Sequence, residues 1–198
     1  MKGYIYTMFK GADPGAGWNM TDPIFGKIPT LGACMPNIRR LVERGDHIFT
    51  ISGQVAGVSQ YIVGGLEVDE KISALAAYKR LPANRQKEMS DGSLMGNIIV
   101  NENGRQTATD YHSNFEKRIE NYVVGTNPIV IESPQEVEIA RVKTPDILAD
   151  VFGVKKSEKV SGMIGRWRRL DGTQIELLRE RILEIKNNAR LVTDEKYS

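Results

Sequence analysis

A chain of 198 residues with 40% hydrophobic and 26% charged side chains has an ordinary globular composition and is long enough for a sizeable core. A formal net charge of +2 excludes any case for nucleic-acid binding from bulk charge, so such a case rests on local patches. A single cysteine, Cys34, excludes an internal disulfide framework. The start of the chain lacks the apolar run of a signal peptide and no window approaches a membrane span, so the expected setting is the cytoplasm.

Residues 3–9 carry enough aromatic and β-branched side chains for a first strand. Residues 10–30 hold Gly11, Pro14, Gly15, Gly17, Pro23, Gly26 and Pro29, which predicts a long loop; loops of that length inside compact domains are often functional. Pro36 followed by Ile38, Leu41 and Val42 predicts a short helix over 35–43, closed by Gly45. Strands are expected at 46–52 and 60–70. The first is launched by Gly45-Asp46 and ends in Ser52-Gly53, and the second is broken by Gly64-Gly65. Glycine inside a strand marks a bulge, a barrel corner or a close approach. The pattern is that of a small curled barrel with a mouth, and such mouths bind ligands.

Ser73 is placed to cap a helix running to residue 81, with Pro82 beyond its end. A strand is expected over 94–100, then a turn at Asn101-Glu102-Asn103-Gly104. Residues 122–124 and 128–131 read as two strands or one strand bent at Gly125. Thr144-Pro145-Asp146 predicts the start of a short helix ending at Gly153, with proline at the first helical position. Residues 174–188 give the clearest helix, with Ile175, Leu178, Ile182 and Ile185 on one face. The fold class expected is α+β: a small curled, mixed or antiparallel β-barrel flanked by helices. It forms one domain over 1–198, of which 143–198 is the helical C-terminal part.

Two histidines and one cysteine give no zinc spacing, and residues 11–17 lack both the Walker lysine and a dinucleotide fingerprint; no metal or cofactor is expected. His112 lies in Thr109-Asp110-Tyr111-His112-Ser113-Asn114, rich in hydrogen-bonding groups, and suits ligand contact or acid–base work, beside a purely structural reading. Cys34 precedes a helix, where a thiol can become nucleophilic, or is simply a small packed residue. Basic residues cluster at Arg39, Arg40 and Arg44, and again at Arg166-Trp167-Arg168-Arg169. The second cluster sets an indole among three guanidiniums, the mixture that stacks on bases and pairs with phosphates; solvated faces are the plainer alternative.

Pro23-Ile24-Phe25-Gly26, Thr30-Leu31-Gly32-Ala33-Cys34-Met35-Pro36-Asn37-Ile38-Arg39-Arg40, Gly45-Asp46 and Asn121-Tyr122-Val123-Val124 together resemble the second class of nucleotide-modification-associated domains. Such domains are encoded beside DNA-base-modification and phage-conflict genes. Where that family often has a basic residue before the proline, this chain has Met35, and no role is carried to that position. More distantly, the Gly45-Asp46 strand and the Val63-Gly64-x-x-x-Val68 strand resemble PUA-like barrels, including EVE, ASCH and YTH domains. That resemblance implies a pocket for a modified base near Trp18, Phe25, Ser52 and Gly53.

Three functions follow as expectations. The first is a binding module for a modified nucleotide or base, linked to DNA modification or phage defence. Trp18, Phe25, Cys34, Thr50, Ser52, Gly53 and His112 line its pocket, and Arg39, Arg40, Arg166, Trp167, Arg168 and Arg169 hold the nucleic acid. The second is an enzyme acting on a nucleotide through Cys34, Asp46 or His112, which lacks a recognisable nucleophile–base pair. The third is a regulatory subunit docking a partner enzyme, of modification or defence, through its C-terminal helix.

Overall fold

The computed structural model describes residues 1–157 and 159–196. Strands β1 (Gly3–Thr7), β2 (Thr30–Leu31), β3 (His47–Ile51), β4 (Ile62–Ile72), β7 (Tyr122–Val130) and β8 (Trp167–Leu170) form one mixed sheet in the order β2-β7-β4-β3-β1-β8. β5 (Lys87–Glu88) and β6 (Leu94–Met95) make a separate antiparallel ribbon. The helices are α1 (Pro36–Leu41), α2 (Ala74–Arg80), α3 (Glu116–Ile119), α4 (Pro134–Phe152), α5 (Val160–Ile164) and α6 (Gly172–Lys196).

The expected barrel is not there. The sheet is open, with β2 and β8 as its edges, within an α+β fold. The paired glycines that suggested a barrel corner have a different cause. A Cβ on Gly64 would lie 2.4 Å from Ile129 O, and one on Gly65 would lie 2.5 Å from the Phe49 ring. Both glycines admit close neighbours, and β4 runs as one strand from Ile62 to Ile72. The strands expected at 46–52 and 60–70 are β3 and β4, and they are neighbours in the sheet.

The chain folds as two compact units. The first comprises residues 1–18, 47–65 and 129–198, the second 19–46 and 66–128. In the first, β1 and β3 pair in parallel, Gly3 opposite His47 through Thr7 opposite Ile51, and β8 pairs antiparallel with β1 on its other side. α4 and α6 pack on each other, burying Ala140, Leu148 and Val151 from one and Ile175, Leu178, Ile182 and Ile185 from the other. α4 is one helix of 19 residues with Pro145 inside it, not a short helix that starts there. It begins at Ser133, whose hydroxyl accepts from Glu136 N–H while the Glu136 carboxylate accepts from Ser133 N–H, a complete capping box. It ends, as expected, at Gly153 in the left-handed conformation.

In the second unit Ala74, Ala77, Ile98, Val100, Tyr122 and Val124 form the core, with Ile72, Tyr78, Leu81, Phe115 and Ile119 packed around it. Ser73 caps α2 by accepting from Ala76 N–H. Only Leu94 and Met95 of the strand expected over 94–100 pair as a strand, although residues 97–100 are buried. Among the described residues no helix is long and apolar enough to cross a membrane.

Candidate functional site

Where two parallel strands end side by side, the exit loops of both reach the same place, and ligands of open sheets favour such ends. β1 ends at Thr7 and β3 at Ile51, directly paired. The pairing continues into the loops: Met8 N–H donates to Ile51 O at 2.9 Å, Gly11 N–H to Gln54 O at 3.0 Å, and Gly53 N–H to Ala12 O at 2.7 Å. From the far edge, Thr7 N–H donates to Arg166 O at 3.1 Å. These bonds hold Lys10, Gln54 and Arg166 at one rim of a cleft of about 460 Å³. Lys159 and Ser161 add to its lining, as do Thr7 and Gln60.

Three cations line this cleft, Lys10, Lys159 and Arg166, and among the described residues no carboxylate does. None of the three is ion-paired among the described residues. The remaining lining is largely neutral hydrogen-bonding groups, so the cleft attracts an anion.

The glycine-rich loop beside it is rigid for a reason its composition hides. Asp13 is fully buried and accepts from Ala16 N–H at 3.0 Å, capping a short 3₁₀ turn. Arg141 of α4 donates to both its oxygens, at 2.9 and 2.8 Å, and lies 4.8 Å from the Tyr61 ring centroid. Burial, helped by the Asp13 charge, pushes the Tyr61 hydroxyl up to about 12. The loop is thus clamped to α4 by a planar, two-bond ion pair.

The residues expected around a base pocket come from both units. Trp18 meets Phe9 edge-on, with ring centroids 5.4 Å apart. Thr50 and Ser52 are buried; Ser52 Oγ accepts from Tyr61 N–H at 3.1 Å, and its carbonyl accepts from Gln60 Nε2 at 2.7 Å, which steadies a cleft residue. A Cβ on Gly53 would lie 1.9 Å from Phe9 O, so that glycine permits a loop crossing. Phe25, Cys34 and His112 belong to the second unit, whereas Trp18, Thr50, Ser52 and Gly53 belong to the first.

Of the basic run near the C-terminus, Arg166 precedes the edge strand β8, and Trp167, Arg168 and Arg169 lie in it. Strand alternation sets Trp167 and Arg169 on one face and Arg168 on the other. Arg166 lines the cleft. Trp167 is 38% exposed, with its ring 5.8 Å from that of Tyr4, and Arg169 is exposed. Arg168, on the opposite face, donates to Met163 O at 2.8 Å and lies over the Phe152 ring at 4.3 Å.

In the second unit the motif residues build a buried polar clasp. Asp22 Oδ1 accepts from Gly32 N–H at 2.8 Å and Asn97 Nδ2 at 2.9 Å; Oδ2 accepts from Ala33 and Cys34 N–H at 2.9 and 2.5 Å. Tyr122 OH donates to Asn97 Oδ1 at 2.6 Å. Arg39, fully buried, donates to the carbonyls of Cys34, Ala33, Arg118 and Asn121. Its guanidinium holds loops together and is not offered to a phosphate; Arg40 is exposed. Burial pushes the Cys34 thiol far up, with Asp22 adding to the shift, so the sulfur stays protonated and is a poor nucleophile.

His112 Nδ1 lies 2.6 Å from Oδ1 of the buried Asp110, whose Oδ2 accepts from Gln106 Nε2 at 2.7 Å. The imidazole is therefore oriented, with its other nitrogen left for solvent or ligand. Among the described residues no three His, Cys, Asp or Glu gather into a metal site.

Sequence reasoning reached Arg166 but not Lys10, Gln54 or Lys159. Their only sequence cue was a position just beyond a strand end or between helices; the parallel pairing that unites them is not a local pattern. No family model, curated protein or solved structure matches the chain.

Proposed function

We propose that this chain is a binding module for a nucleotide or a single nucleic-acid strand, holding phosphate in the cleft of the first unit. The observation that carries the reading is the cleft itself, with three cations at the ends of two parallel strands and, among the described residues, neither an ion pair to them nor a carboxylate in the lining. The half-exposed Trp167 indole, on the face of β8 that it shares with Arg169, is a separate surface on which a base of a bound strand stacks. The resemblance of residues 23–26, 30–40, 45–46 and 121–124 to nucleotide-modification-associated domains supports a modified nucleotide as ligand, in DNA modification or phage defence.

The test is fluorescence polarisation of a labelled single-stranded oligonucleotide over a range of salt. Replacing Lys10, Lys159 and Arg166 by Gln lowers affinity for all sequences and flattens the log affinity–log salt slope by about 2 units, near 0.7 for each phosphate no longer neutralised. Trp167→Ala costs about 1–3 kcal/mol with little change in slope. A wild-type protein that binds neither oligonucleotides nor nucleotides refutes the proposal.

A second reading, chemistry on a nucleotide, has one observation in its favour, the buried Asp110 orienting His112. It requires nucleotide turnover that His112→Gln abolishes without a fall in melting temperature.

A further inference from the structure

The charge of the cleft exceeds what an internal phosphodiester needs. Lys10, Lys159 and Arg166 bring three positive charges to a space of about 460 Å³. A phosphodiester within a strand carries one negative charge, whereas a phosphate monoester carries about −1.5 to −2 near neutral pH and offers three terminal oxygens. We infer that the cleft holds a phosphate monoester, the group shared by a nucleoside 5′-monophosphate and by the 5′-phosphorylated end of a strand. The inference rests on the nucleotide reading above and narrows it.

Three further observations fit a terminal group. Thr7, at the end of β1, lines the cleft and has a buried Oγ1 with no hydrogen-bond partner among the described residues. Unpaired buried hydroxyls are costly, and those in native structures call for a reason. Gln60, held through its Nε2 by Ser52 O, is fixed at the cleft before any ligand arrives. The cleft's volume falls within the range of small-ligand pockets and accommodates a phosphate with its sugar.

The experiment compares one single-stranded oligonucleotide with a 5′-phosphate and the same oligonucleotide with a 5′-hydroxyl. A nucleoside 5′-monophosphate and its nucleoside form a second pair, and all four are titrated by calorimetry at fixed salt. The phosphorylated member of at least one pair binds tenfold tighter or more, and the preference disappears when Lys10, Lys159 and Arg166 are all Gln. Thr7→Val reduces the preference while leaving the melting temperature unchanged or higher, a combination that a structural hydroxyl does not give. Preference within the mononucleotide pair assigns the monoester to a free nucleotide; preference confined to the oligonucleotide pair assigns it to a strand end. Equal affinity within both pairs overturns the inference and leaves nucleic-acid binding standing. Absence of binding to all four overturns the nucleotide reading as well.

Discussion

Replacing Asp22 by Asn tests the clasp of the second unit with the least change of shape. Each carboxylate oxygen accepts two hydrogen bonds, Oδ1 from Gly32 N–H and Asn97 Nδ2, and Oδ2 from Ala33 and Cys34 N–H. An amide keeps one oxygen and turns the other into a donor that faces two donors. Two charge-assisted bonds are lost at about 1.5–3 kcal/mol each, a total of about 3–6 kcal/mol. At roughly 2–4 °C per kcal/mol for a chain of this size, the melting temperature falls by about 6–24 °C. Thermal unfolding followed by circular dichroism, with urea titration alongside, measures the loss. A variant within about 1 kcal/mol of the wild type refutes the reasoning, because the two donors that lost their acceptor would then have found other partners at no cost.

Burial raises the Glu136 carboxyl, but N–H bonds from Glu132 and Ser133 together with Lys186 outweigh it and hold the group below its ordinary range. A depressed carboxyl stabilises the fold above its unfolded pKa and loses that contribution as pH falls through the folded value. Glu136→Gln therefore destabilises by about 1–3 kcal/mol at pH 7. The gap narrows as pH drops below about 4.3, which urea midpoints across pH will show. Gly64→Ala sets a Cβ 2.4 Å from Ile129 O and destabilises by about 1–3 kcal/mol in the same assay; a neutral result means the neighbouring strand shifts freely. The raised Cys34 thiol reacts slowly with iodoacetamide at pH 8 in the native protein and at an ordinary rate in urea. Equal rates in the two states contradict the burial.

Local signals carried much of the fold. Ser73 before α2, Gly153 after α4 and the apolar face of α6 each did in the structure what their chemistry requires. The error at α4 was one of weighting. Pro145 looked like a first-turn proline, while the Ser133-Pro134-Gln135-Glu136 capping box, a stronger start signal, stood twelve residues earlier. The barrel failed differently, since a strand glycine reports close approach without saying what approaches; here it is Ile129 O and the Phe49 ring. The cleft was the least legible part. Lys10, Gln54, Lys159 and Arg166 are scattered along the chain, and only the pairing of β1 with β3 and β8 collects them.

The position of β1 also sets an order of assembly. Its parallel partner β3 begins about 40 residues after β1. Its other neighbour, β8, is translated roughly 160 residues after β1. At about 5–20 residues per second, one side of β1 stays open on the ribosome for about 8–30 s. An unpaired edge of Tyr4, Ile5 and Tyr6 is a template for pairing with other chains, so release of this protein without β8 should favour aggregation over a smaller stable fold. The strand that follows the cleft residue Arg166 thus also covers the second side of β1.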